Sequence, residues 1–101
     1  KKGITLTCPG FYGPQGRQLR LKGPLGNEFL DGVARFEHAG QAITNFEMET
    51  SAIYGMCQLL GHQAISCNAI LANRALGTFS QKPKESVDLL IQTVLDTLCR
   101  D

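Results

Sequence analysis

The run Ala64–Ala72, "AISCNAILA", constrains the chain more than any other stretch. Strict alternation would leave one face of a strand in water. A nearly continuous apolar run instead predicts a strand covered on both faces. Such a strand needs neighbours beside it and helices over it, so the chain must build α/β layers.

The remaining pattern supplies those layers. Residues 3–8, "GITLTC", alternate as a strand and stop at Pro9-Gly10, a turn signal. The next sixteen residues, "FYGPQGRQLRLKGPLG", hold four glycines and two prolines and read as loop. A helix is expected from about Asn27, where Phe29, Leu30, Val33 and Phe36 recur at three-to-four spacing and Gly40 supplies a stop. A short strand over Ala42–Phe46 leads into a second helix, from about Thr50 to Leu60, with Ile53, Met56, Cys57 and Leu60 on one face and Gly61 at its end. Pro83 opens a last helix, with Val87, Leu90, Ile91, Val94 and Leu98 as its buried stripe. The order β–loop–α–β–α–β–α predicts an α/β fold with a mixed, largely parallel sheet flanked by helices. Three strands make a poor sheet, and the architecture reads as incomplete.

Composition removes several function classes. The 101 residues suit one small domain, and 43% hydrophobic with 19% charged residues is ordinary for a soluble globular protein. The net charge is +1 with no Lys/Arg cluster, which argues against a nucleic-acid surface. No apolar run approaches the roughly 20 residues of a membrane span, and no stretch reads as a signal peptide. Cys8, Cys57, Cys67 and Cys99 lack any CxxC or Cys/His spacing, which argues against zinc. They read as reduced core thiols of a cytoplasmic protein. The chain opens directly into a strand without an initiator Met, as a piece of a longer polypeptide would.

Ligands of open α/β sheets bind outside the carboxyl ends of the strands. That rule selects "PGFYGPQGR" after the first strand, Glu47-Met48-Glu49 after the second and Asn73-Arg74 after the third. In parallel strands these three groups meet on one rim. An aromatic ring such as Phe11 stacks on a planar heterocycle. The Gln15 amide reads an edge carrying both a carbonyl and an N–H, while Arg17 offers a cationic fork. Paired carboxylates are acceptors suited to the vicinal hydroxyls of a sugar. Together they spell nucleoside. Taken alone, each group has a plainer reading. Glu47 and Glu49 serve equally as acids favoured by a helix dipole, and the loop as turn chemistry with solvated Gln15 and Arg17.

The segments themselves carry a resemblance. "NFEMETSAIYGM" is similar to the signature of the nucleoside phosphorylase family, in which a strand ends in an E-M-E segment that holds ribose. "FYGPQGR" resembles the F-Y-x-x-Q-x-R pyrimidine loop of the uridine phosphorylase branch, and "AILANRALG" its strand end in Asn-Arg. The resemblance implies the three-layer fold of that family. It implies that Phe11 lines the base site, Gln15 bonds the O2/N3–H side and Arg17 bonds O4. It also implies pocket walls at Leu71 and Ala72, and support for the base from Arg74. Met48 and Glu49 would hold the ribose, with Glu47 in the same sugar shell. Asn73 stands where purine-acting relatives usually carry an Asp that protonates N7, so the residue favours pyrimidines.

The implied reaction is reversible phosphorolysis of uridine to uracil and ribose 1-phosphate, in pyrimidine salvage. Arg17 and Gln15 would be the catalytic pair that stabilises charge on the departing base. No metal or cofactor is implied, and phosphate is a co-substrate. The family binds phosphate in an N-terminal part that no segment here matches. Residues 1–101 are therefore expected to be its C-terminal portion, inactive in isolation, from a homo-oligomer of two to six subunits. A phosphorylase or nucleosidase acting on a purine or another nucleoside, or a non-catalytic binding fragment, are the competing readings. His38 and His62, each beside a glycine, receive no catalytic role.

Overall fold

Apolar alternation in "ITLT" and "QAITNFE" produces the two strands on which the fold is built. In the computed structural model, which describes residues 1–100, β1 (Ile4–Thr7) pairs in parallel with β3 (Gln41–Glu47). Their carboxyl ends are in register, with Thr7 opposite Glu47 and the Cys8 N–H donating to the Glu47 carbonyl at 2.9 Å. An irregularity between Ile4 and Thr5 shifts the register by one residue on the β3 side.

The second neighbour of β3 is β2 (Glu37–His38), which pairs antiparallel and gives the order β1-β3-β2. This hairpin corrects the expected helix over Asn27–Gly40: α1 spans Asn27–Arg35 only. Phe36 leaves it in extended backbone, and the chain reverses at Ala39 and Gly40, with φ of 51° and 73°. Two successive positive φ values define the tight turn whose twist suits paired strands, and glycine adopts the second at no steric cost. Gly40 therefore turns a hairpin instead of ending a helix. The helix α1 packs on β3 through the Phe29 and Phe46 rings, 6.2 Å apart and edge to face.

The helix α2 (Thr50–Leu59) begins three residues after β3 and ends at Gly61, where φ is 74°. Its last turn closes with the His62 N–H donating to the Cys57 carbonyl at 2.7 Å. These bounds agree with the expected strand–helix seam.

The chain divides into two units, Lys1–Ile65 and Ser66–Asp101. The strand expected across Ala64–Ala72 does not form over most of that run. Residues 64–71 take no strand structure, and Ile65 is 84% exposed. A strand exists only where a neighbour accepts and donates its backbone hydrogen bonds, and apolar content alone does not supply one. The second unit instead holds a small antiparallel hairpin, β4 (Ala72–Asn73) with β5 (Thr78–Phe79), and the helix α3 (Pro83–Leu98). Pro83 lies in the first turn of α3, as expected.

The result is a mixed α/β fold with a mixed sheet and three helices among the described residues. The expected apolar stripes are open, with Ile53, Met56, Leu60, Val87, Ile91 and Leu98 all exposed. Cys8, at 8% exposure, is the one buried hydrophobic residue among those described. Cys67 and Cys99 are exposed and Cys57 half-buried, so core placement holds for Cys8 alone. No helix of the described residues is long and apolar enough to cross a membrane.

Candidate functional site

The parallel register of β1 and β3 delivers two of the three expected groups to one end of the sheet. After β1 the chain forms a tight loop around a short 3-10 turn, Gly13–Gln15. The Tyr12 carbonyl accepts from the N–H of Gln15 at 3.2 Å and of Arg17 at 2.9 Å, which coils the loop back on itself. Gly16 follows at φ +68°, and a Cβ there would lie 3.0 Å from the Phe29 ring. Only glycine meets both demands, so α1 holds the loop in place through Phe29.

Within this loop Phe11 is 52% exposed, and the Arg17 guanidinium lies over its ring, 3.9 Å from the centroid. Tyr12 stands edge-on to Phe11 at 5.2 Å. Arg17 Nε is buried without a hydrogen-bond partner among the described residues, and the ring face favours the cation here. Gln15 is only 5% exposed. The amide expected to read a base edge is covered by the chain itself. A cleft of about 350 Å³ opens beside Tyr12 and Arg17, lined further by Arg20 and Lys22.

The acidic seam is built differently from its sequence appearance. Glu47 ends β3, and its carboxylate is enclosed by donors from the chain. Thr7 Oγ1, at the end of β1, donates to Oε1. The N–H groups of Glu49 and Thr50 donate to Oε2 at 2.7 and 2.6 Å. Thr7 Oγ1 in turn accepts from the Ser51 N–H at 3.0 Å. Thus Glu47 satisfies the first amides of α2, which no side chain at the N-cap position Glu49 reaches. Burial pushes the Glu47 carboxyl up, but hydrogen bonds from Thr7, from the Glu49 backbone and from Thr50 outweigh it. The net result holds it at about 2, against an ordinary 4.5.

Glu49 is different. Its carboxylate is exposed and accepts from the neighbouring Met48 N–H at 3.2 Å. Met48 is exposed as well. Of the two acids, Glu49 has lone pairs open to a ligand.

The third group lies in the second unit. Leu71 is exposed, its carbonyl accepting from the Ser80 N–H at 2.8 Å. Ala72 and Asn73 form β4, and Asn73 Oδ1 accepts from the Leu76 N–H at 3.1 Å, stabilising the hairpin turn. Arg74 is half-buried within that turn. These residues form their own hairpin within the second unit. No cluster of three His, Cys, Asp or Glu among the described residues could hold a metal ion.

Sequence reasoning passed over Thr7. A threonine at a strand end carries no signal of its own; its partner is 40 residues away and is chosen by the register of β1 on β3.

The aromatic–arginine loop and the acidic seam both follow strand carboxyl ends, the position at which open α/β sheets bind small molecules. Comparison with known proteins narrows the class. A uridine phosphorylase of Thermococcus kodakarensis is 30% identical over 99 residues, which is 95% of this chain and 34% of that protein. The chain thus spans about a third of the length of the curated relative it matches. No family model matches the chain, and no solved structure matches it significantly. The likeness supports a nucleoside phosphorylase-like relation, to enzymes of the glycosyltransferase type.

Proposed function

We propose that this chain is the nucleoside-binding, C-terminal portion of a uridine phosphorylase, which converts uridine and phosphate to uracil and ribose 1-phosphate. The observation that supports it most is the pairing of Thr7 with Glu47, which sets the Phe11–Arg17 loop and the Glu47–Glu49 seam at one sheet end. Base-reading and sugar-reading chemistry then act on one ligand.

In this reading Phe11 supplies the apolar face for uracil. Arg17 leaves that face when the base arrives and turns its fork to the base oxygen. There it stabilises the charge that develops as the glycosidic bond breaks. The assignment of Gln15, covered by protein, to the base edge rests on the sequence resemblance. The exposed Glu49 carboxylate takes the ribose hydroxyls beside Met48, and Glu47 belongs to the same sugar shell. The roles of Leu71, Ala72 and Arg74 on the base side rest on the sequence resemblance alone. Phosphate is held by residues of a longer polypeptide, which assembles as a cytoplasmic homo-oligomer. Neither a metal nor a cofactor enters the reaction. Binding base, sugar and nucleophile in line contributes through orientation.

The test is turnover by the full-length polypeptide with phosphate and either uridine or inosine. Preferential release of uracil is expected. Preferential cleavage of inosine would overturn the pyrimidine assignment, and turnover of neither would overturn the phosphorylase assignment.

A further inference from the structure

We infer that Thr7 and Glu47 form a positioning clamp that presents Glu49 to the sugar of the ligand, making Thr7 a determinant of ribose recognition. The inference rests on the nucleoside reading above and assigns a role to a residue outside that reading. Three chain segments converge on this pair. Thr7 ends β1, Glu47 ends β3, and Ser51 lies in the first turn of α2. The hydroxyl of Thr7 uses both of its capacities there. It donates to Glu47 Oε1 and accepts from the Ser51 N–H at 3.0 Å. Glu47 Oε2 meanwhile binds the Glu49 N–H at 2.7 Å and the Thr50 N–H at 2.6 Å.

The consequence falls on the residue between these anchors. The backbone of Glu49 is held at its own N–H by Glu47, and its carbonyl accepts from the Ile53 N–H at 3.2 Å. Its φ and ψ are −125° and −28°, outside the regular helix. The backbone is pinned while the carboxylate stays exposed. That arrangement suits a group that must meet two vicinal hydroxyls, because ordering is supplied before the ligand arrives. Glu47 has its oxygens engaged by the chain, so its contribution to the sugar shell passes through Glu49.

Thr7→Val keeps the side-chain shape, removes the donor to Glu47 and leaves the Ser51 N–H without its acceptor. Thr7→Ser keeps both bonds. The probes are uridine and 2′,3′-dideoxyuridine, titrated by calorimetry into the full-length protein without phosphate so that no turnover occurs. For Thr7→Val we expect about a tenfold loss of uridine affinity, unchanged affinity for the dideoxy probe, and wild-type values for Thr7→Ser. Unchanged uridine affinity in Thr7→Val overturns the clamp. An equal loss for both probes overturns it too, since a general structural defect does not distinguish sugars. Wild-type protein that binds the two probes equally removes the ribose reading itself, and the clamp with it. That failure is visible before any variant is made.

Discussion

The Glu47 carboxylate offers the most direct physical test of the seam. It is held at about 2 instead of 4.5 because Thr7, the Glu49 backbone and Thr50 all donate to its charged form. At about 1.4 kcal/mol per pH unit, that depression corresponds to roughly 3 kcal/mol in favour of the ionised state. Glu47 is half-exposed, so solvent screening reduces its contribution to about 1–2 kcal/mol. A folded-state value below the unfolded one means the stabilisation is fully present above about pH 4.5 and disappears as pH falls through about 2. Glu47→Gln should therefore destabilise the protein by about 1–2 kcal/mol at neutral pH, because one carbonyl oxygen cannot serve the three donors and the new amide opposes them. The difference between wild type and variant should close as pH approaches about 2. Urea unfolding of both proteins across this range measures it. The Glu49 and Thr50 amide shifts, followed by NMR, read the same titration locally. Amides that titrate with a midpoint near 4.5, or a stability difference independent of pH, would refute the reasoning.

Other outcomes follow from the same geometry. Arg17→Ala in the full-length enzyme should lower kcat/KM for uridine by about ten- to more than a hundredfold, the kinetic equivalent of roughly 1.5–3 kcal/mol, without unfolding. Unchanged kinetics would remove Arg17 from the base site. Ala39→Asn should raise stability by a few tenths of a kcal/mol, seen as a higher thermal midpoint, since Ala39 holds φ of 51° in a hairpin turn that favours Asn-Gly. Gly40→Val should do the reverse, by about 1–2 kcal/mol. The isolated residues 1–101, assayed with uridine and phosphate, should show no useful phosphorolysis; robust turnover would place the phosphate site within this chain.

Much of the local structure is legible in the residues. Alternation in "ITLT" and the change of period at "NFEMET" mark β1, β3 and the start of α2 to within a residue or two, because side-chain periodicity is a local property. Pro83 marks α3 for an equally local reason: its fixed φ and missing N–H suit a first helical turn. The reading fails where one local signal serves two structures. A glycine at positive φ ends helices and turns hairpins alike, so Gly40 was ambiguous until Ala39 entered the same region of backbone space.

Order along the chain and side-chain chemistry suffice to name the groups proposed to recognise a nucleoside: an aromatic, a glutamine and an arginine after one strand, and two carboxylates after another. How the two carboxylates differ in exposure and partners depends on contacts across the fold. Glu47 and Glu49 look alike in one dimension. The register of β1 on β3 sets Thr7 against Glu47 and turns that acid inward, leaving Glu49 exposed. Long-range pairing also explains why residues 64–71 form no strand: apolarity signals a need for cover, whereas a strand requires a partner for its backbone.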